Sequence, residues 1–226
     1  MHKTLASEVV GVKKIESKAC VSISNNKAFT LIELAIVLAV IGLIAAAVFS
    51  GQSLVMNAKL NRVATQFRQY EQAIRAFYAQ YDQYPGDFDS AYSFWGSNCA
   101  STESDCNGNH DNIIQYNGSG GDSDREEYRF PQHLVLAGIL SGSYTGTGSV
   151  QNAQNTLPGT IDGSLVYVES EAVFWSTPGK YLTLATQTNS NSWLGTISSV
   201  QAKAIDTKID DGIAHKGRLF GLSGST

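Results

Sequence analysis

The sequence predicts an α+β protein, with a long N-terminal helix packed on a small antiparallel sheet. Three observations carry this. From Ala28 to Phe49 the chain is apolar apart from Thr30 and Glu33. Beyond it the apolar residues recur in steps of three and four as far as Tyr81, and no proline falls between Phe29 and Tyr84. Toward the C-terminus, short runs rich in β-branched and aromatic residues alternate with turn signals. The overall composition excludes two other classes. An apolar share of 42% is too high for wholesale disorder. A formal charge of −4 lacks the basic surplus of a general nucleic-acid binder.

Residues 1–28 are polar and basic, with Lys3, Lys13, Lys14, Lys18 and Lys27 against Glu8 and Glu16. The run that follows would make a helix roughly 33 Å long, about the thickness of a bilayer core. Basic residues lie just before it, so the positive-inside rule places residues 1–28 in the cytoplasm and the rest of the chain outside. A buried helix of a soluble protein is the plainer reading, but core helices seldom run so long without breaks. An ordinary secretory signal is the other rival, with Ala45-Ala46-Ala47 as a small-residue cleavage site. Two features oppose it: Glu33 lies inside the apolar run, and an amphipathic helix continues directly from it.

That continuation places Leu60, Val63, Ala64, Phe67, Tyr70, Ile74, Phe77, Tyr78 and Tyr81 on one face. Lys59, Arg62, Arg68, Gln69, Glu71, Gln72 and Arg75 fall between them and suit the wet face. The expectation is one helix from Phe29 to Tyr81, ended by Tyr84-Pro85-Gly86-Asp87. Residues 97–126 read as loop. A short amphipathic helix is expected from Pro131 to Leu140, with Pro131 in its first turn. Residues 141–163 read as a linker. Strands are expected at Leu165–Val168, Ala172–Trp175 and Tyr181–Ala185. A last helix is expected over Ile197–Ile209, stopped by Gly212, and a closing strand over Arg218–Phe220.

The stretch Lys27-Ala28-Phe29-Thr30-Leu31-Ile32-Glu33-Leu34 resembles the processing site of type IV prepilins and type II secretion pseudopilins. The resemblance implies a type IV pilin-like fold. It also implies a membrane peptidase that cuts on the cytoplasmic side, between Ala28 and Phe29, and then methylates the new N-terminal Phe29. Alanine stands here where the family usually has glycine. The domains would then be a cytoplasmic leader (1–28), a transmembrane half-helix (29–50), an amphipathic half-helix (51–84) and an α+β head (85–226). Implied partners are the prepilin peptidase, an inner-membrane assembly platform, identical or homologous pilin subunits, and membrane lipid. The implied location is a bacterial inner membrane, crossed once with the head periplasmic, and later a filament. Tyr84-Pro85-Gly86-Asp87-Phe88, Ser93-Phe94-Trp95-Gly96, Gln132-His133-Leu134 and Ile205 to Gly212 resemble later segments of one broad group of pilin-like proteins.

Glu33 needs a physical reason to be where it is. A carboxylate within a transmembrane helix costs about 2.5–3.5 kcal/mol on insertion scales. Cutting before Phe29 creates a positive amine four residues upstream. The resemblance implies that Glu33 pairs with the terminal amine of a neighbouring subunit during assembly. The bland alternative is a carboxylate that snorkels to the membrane surface.

Cys20 falls in the leader, leaving Cys99 and Cys106 in a compartment where disulfides persist, and a Cys99–Cys106 bridge is expected. In the same region Asn107, Asn109 and Asp111 alternate as oxygen donors, with Asn112 at the turn. This echoes the first half of a calcium loop. Asn112 can stand for glycine there because asparagine tolerates a left-handed backbone. The closing bidentate Glu is absent, since residue 118 is Gly, and Asp105, Asp122, Asp124 or Glu126 would have to substitute. A turn-rich solvated loop is the competing reading. Asp206, Asp210 and Asp211 form a second acidic group, read as a helix end.

No catalytic constellation emerges. A P-loop, a dinucleotide fingerprint and H-E-x-x-H are all missing. Gly142-Ser143-Tyr144-Thr145-Gly146 matches a nucleophile elbow only in spacing, within the linker. His133 reads as structural. The expectation is a substrate of enzymes rather than an enzyme, either a prepilin-like filament subunit or a permanently anchored periplasmic binding domain. Without residues 1–28 the chain carries 11 basic and 18 acidic residues, so direct nucleic-acid binding by the head is not expected.

Overall fold

The computed structural model describes residues 29–115, 125–148, 152–161, 163–170, 179–187, 193–213 and 216–220. Helix α1 is Leu31–Tyr81. It begins within two residues of the expected start and ends on the expected residue. The chain divides after Val48 into two compact units. In the first, every described side chain is exposed, including Leu31, Ile36, Ile41 and Leu43. Among the described residues α1 is the one helix long and apolar enough to cross a membrane, and its most apolar stretch is wholly unburied.

The second unit, from Phe49 onward, has the core. Leu60, Val63, Ala64, Tyr70, Ala73 and Phe77 of α1 are buried. Phe67, Ile74 and Tyr81 are half-buried against the core, and Tyr78 is exposed and packs on Tyr84. The chain leaves α1 through Asp82 at φ 55, a left-handed position that aspartate tolerates. Gly86 follows at φ 91, where a Cβ would lie 2.6 Å from the Glu126 carbonyl oxygen, so only glycine fits.

Three short helical segments come next: α2 (Ala91–Trp95), a 3₁₀ turn (Gly96–Asn98) and α3 (Glu103–Cys106). Helix α4 is Glu126–Leu136. It therefore starts five residues before the expected Pro131 and stops before Leu140. Pro131 sits inside it, and Glu126 through Leu134 are all buried. Glu126 falls in the stretch expected to be loop, and Glu127 and Arg129 precede the expected helix, yet all three form its buried first turns.

The sheet order is β1-β2-β3-β4, antiparallel throughout. The strands are β1 (Leu157–Pro158), β2 (Leu165–Glu169), β3 (Tyr181–Gln187) and β4 (Trp193–Leu194). Strand β1 lies in the stretch expected to be linker. Val166 pairs with Leu184 on one side and Leu157 on the other. The expected strand Ala172–Trp175 lies outside the described residues. Arg218–Phe220 is turn and coil rather than a closing strand. Helix α5 is Ser199–Ile209, opened by a capping box in which Ser198 and Gln201 each bond the other's backbone N–H.

One core cluster joins Tyr70, Ala73 and Phe77 of α1 to Phe88, Ile114, Phe130 and Leu134 of the loop and α4, and to Leu157, Val166 and Val168 of the sheet. A second joins Leu60 and Val63 of α1 to Ile205 of α5, with Phe67, Leu184, Ile197 and Ile209 around it. The amphipathic half of α1 is thus the spine of the head.

Candidate functional site

The expected processing point lies between Ala28, outside the described residues, and Phe29, whose side chain is 78% exposed. Thr30 is the N-cap of α1. Its backbone N–H and its hydroxyl both donate to Glu33 Oε2 at 2.8 Å. The Glu33 N–H donates back to Thr30 Oγ1 at 3.3 Å. Thr30-Leu31-Ile32-Glu33 is therefore a reciprocal capping box, and the sequence spelled it as T-x-x-E. A carboxylate in the first turn also faces the positive end of the helix dipole. Glu33 thus has a local structural role in addition to the one its family resemblance implies.

Cys99 and Cys106 form the expected disulfide, with Cα atoms 5.6 Å apart. Both are buried in the main core cluster. The loop that follows is stapled by two carboxylates: Asp87, to which the sequence assigned no role of its own, and Glu126, named only as a substitute for the missing closing Glu. Asp87, 1% exposed, accepts from the Asp111 and Asn112 N–H groups at 3.1 and 2.9 Å. Glu126, 2% exposed, accepts from the Asn109 and Gln115 N–H groups at 2.9 and 3.2 Å. Burial pushes the Asp87 carboxyl above the usual range. Burial, with the Asp87 and Asp111 charges, pushes Glu126 up to about 7 against the pull of its two N–H partners. The signal that could have found the first was its place inside the Tyr84-Pro85-Gly86-Asp87 turn.

Of the three candidate calcium ligands, Asn109 and Asp111 are brought together, with Asn109 Nδ2 donating to Asp111 Oδ2 at 3.0 Å. Asn107 Oδ1 accepts from the Tyr92 N–H at 2.7 Å, and its amide donates to Glu103. Asn109 Oδ1 accepts from the Asp111 N–H, and Asp111 Oδ1 from the Ile113 N–H. These oxygens close turns within the loop. Asp111 instead joins Asp87 and Glu126 in one carboxylate cluster. Asn112 does take a left-handed backbone, at φ 65.

His133 is fully buried. Its Nδ1 accepts from the Gly86 N–H at 3.0 Å, and its Nε2 lies 2.9 Å from the Cys106 carbonyl oxygen. That pairing defines a neutral ring protonated on Nε2. Burial drives its pKa down to about 3. Arg129, also buried, donates to the Ser104, Asp105 and Asn107 carbonyl oxygens. Both residues fasten α4 to the disulfide loop, in line with the structural reading of His133.

Residues 23–49 match the family model described as the prokaryotic N-terminal methylation motif. No curated protein matches the chain, and no solved structure does. The match spans the expected cut, the capping box and the exposed apolar part of α1, and the remaining residues build an α+β, pilin-like head behind it. The chain carries the prepilin-type cleavage and methylation signature, the mark of a prepilin peptidase substrate that anchors in a membrane by its N-terminal helix.

Proposed function

We propose that this protein is a structural subunit of a type IV pilus or a type II secretion pseudopilus. It inserts with residues 1–28 in the cytoplasm and the head outside, and is cut between Ala28 and Phe29. It is then methylated on Phe29 and packs by its apolar helix against its neighbours in a filament. The observation that carries this reading is the methylation motif at residues 23–49, joined to a helical segment whose apolar side chains have no cover among the described residues. A filament interior supplies that cover. Leaving lipid is then feasible, because neighbouring helices bury the same apolar surface that acyl chains did.

Glu33 supplies the registration. In the isolated chain its Oε2 is engaged by Thr30. In a filament the methylated amine of an adjacent subunit offers a charged donor to the same carboxylate, a stronger bond than a neutral amide or hydroxyl provides. No group in the head is assigned a catalytic role. Glu33→Ala tests the reading in cells that carry the assembly machinery. Membrane insertion and cleavage should persist while incorporation into sheared filaments falls at least tenfold. Undiminished incorporation of Glu33→Ala would contradict it.

A further inference from the structure

One edge of the head carries apolar side chains that belong to neither core cluster. Helix α5 runs parallel to α1. Gln201 in its first turn donates to Met56 Sδ at 3.1 Å, Ile205 packs on Leu60 and Val63, and Lys208 near its end reaches Asn61. The N-terminal end of α5 therefore lies beside the first turns that α1 contributes to the head. Met56 is one turn before Leu60, on the same stripe of α1. Val200, in the first turn of α5, is 77% exposed, and helical side chains tilt toward the N-terminus of their helix. Leu54, Val55 and Met56 are exposed as well, and so is Leu194, shortly before α5.

Two stretches without charge meet at this edge. No Asp, Glu, Lys, Arg or His occurs from Leu34 to Ala58 or from Tyr181 to Ala202. The next charged residues are Lys59 and Arg62 on α1 and Lys203 on α5, all basic, in a chain of negative net charge. As a helix the first stretch measures roughly 37 Å, against about 30 Å for a hydrocarbon core. Its last turns, which hold Leu54 to Met56, therefore reach into the headgroup layer.

We propose that this edge docks the head on the bilayer, in the leaflet opposite residues 1–28. Met56 and Val200 enter the boundary between acyl chains and headgroups, and Arg62 and Lys203 meet anionic lipid phosphates. Lipid fits better than a second copy of the chain. The edge continues directly from the membrane-spanning stretch of the same helix. Its basic rim complements anionic headgroups, whereas a two-fold pairing of copies would set that rim against itself. The inference rests on the reading that residues 29–50 span a membrane. Docking would steady the head before assembly and would have to be released when the helix enters a filament.

The test uses the full chain, single in nanodiscs of phosphatidylethanolamine and phosphatidylglycerol. Cys20→Ser leaves the bridged pair Cys99 and Cys106, so a nitroxide can be placed on one introduced cysteine. Labels go on Val200→Cys, on Ile41→Cys in the spanning stretch and on Ser101→Cys in an exposed bend of the head. Power saturation with an aqueous nickel chelate and with oxygen reads the depth of each. The label at 200 should collide with nickel about fivefold less often than the label at 101, and more often with oxygen. Exchanging phosphatidylglycerol for phosphatidylcholine, or Lys203→Gln, should raise its nickel collisions. A label at 200 as wet as that at 101, with 41 still protected, overturns the inference and leaves the membrane anchor standing. A wet label at 41 would overturn both. Protection at 200 that arises only in discs holding two chains would give the edge to a second copy instead. Protection indifferent to lipid charge and to Lys203→Gln would overturn the assignment to anionic lipid.

Discussion

The two ends of α1 share one backbone geometry and meet opposite surroundings. From Leu31 to Val48 the apolar side chains encircle the helix and none is buried. From Leu60 to Phe77 the apolar residues keep to one face, and that face is the spine of both core clusters. Helix propensity alone would treat the two segments alike. What separates them is the arrangement of side chains around the helix. All-round apolarity demands an apolar solvent or neighbouring helices, whereas a stripe demands a fold of its own. The first segment therefore gets its stability from outside the chain and the second from within it.

The largest expected effect breaks that contrast directly. Phe77 is fully buried and packs on Tyr81, Phe88, Trp95 and the His133 ring, with centroids 4.5 to 6.4 Å away. Phe77→Ala should destabilise the head by about 3–5 kcal/mol. Ile41→Ala, on the exposed segment, should leave head unfolding within about 0.5 kcal/mol of wild type. Denaturant titration followed by near-UV CD compares them, and equal losses would erase the distinction.

A smaller loss is expected from opening the disulfide that closes the α2–α3 segment. Cys99 and Cys106 are seven residues apart, and chain entropy for so short a loop gives about 2–3 kcal/mol. The same titration with Cys99→Ser/Cys106→Ser should show this loss, and added reductant should then have no further effect.

The smallest is a pH effect confined to the head. Glu126 has a folded pKa raised to about 7 from an ordinary 4.5. The folded state therefore holds a proton that the unfolded state has released, and stability from this group is present below about 4.5 and lost as pH rises through about 7. His133, depressed to about 3 from 6.5, acts in the opposite sense, since its contribution is lost as pH falls below about 6.5. Comparing wild type with Glu126→Gln cancels the histidine. The stability advantage of wild type should shrink by up to about 2 kcal/mol between pH 5 and pH 7. An advantage that does not change with pH would show that Glu126 is ionised throughout.

The same contrast explains what could be read in advance. Both halves of α1 were legible because period and composition report directly on solvent. Strands β2 and β3 were legible for the same reason, as β-branched runs between turns. The disulfide followed from compartment and cysteine count. The start of α4 was hidden. Glu126, Glu127 and Arg129 look solvated by type, yet Glu126 and Arg129 are buried because distant backbone groups partner them. Such pairings link residues 11 to 25 positions apart and leave no periodic trace. The alternating oxygens of Asn107, Asn109 and Asp111 are ambiguous in sequence for a related reason. Side chains that close turns on their own loop have the spacing of side chains that wrap an ion. The Thr30–Glu33 capping box was in plain view, but the cost of a carboxylate in an apolar run drew the eye to intermolecular pairing first.

The measurement closest to the central claim is the N-terminus of the mature protein, purified from membranes that contain a prepilin peptidase and read by intact mass and N-terminal fragmentation. Cleavage between Ala28 and Phe29 predicts a chain that begins with N-methylated Phe29 and retains Glu33 as its fifth residue. A chain that begins at Val48, or one that still carries residues 1–28 after exposure to the peptidase, would contradict the account.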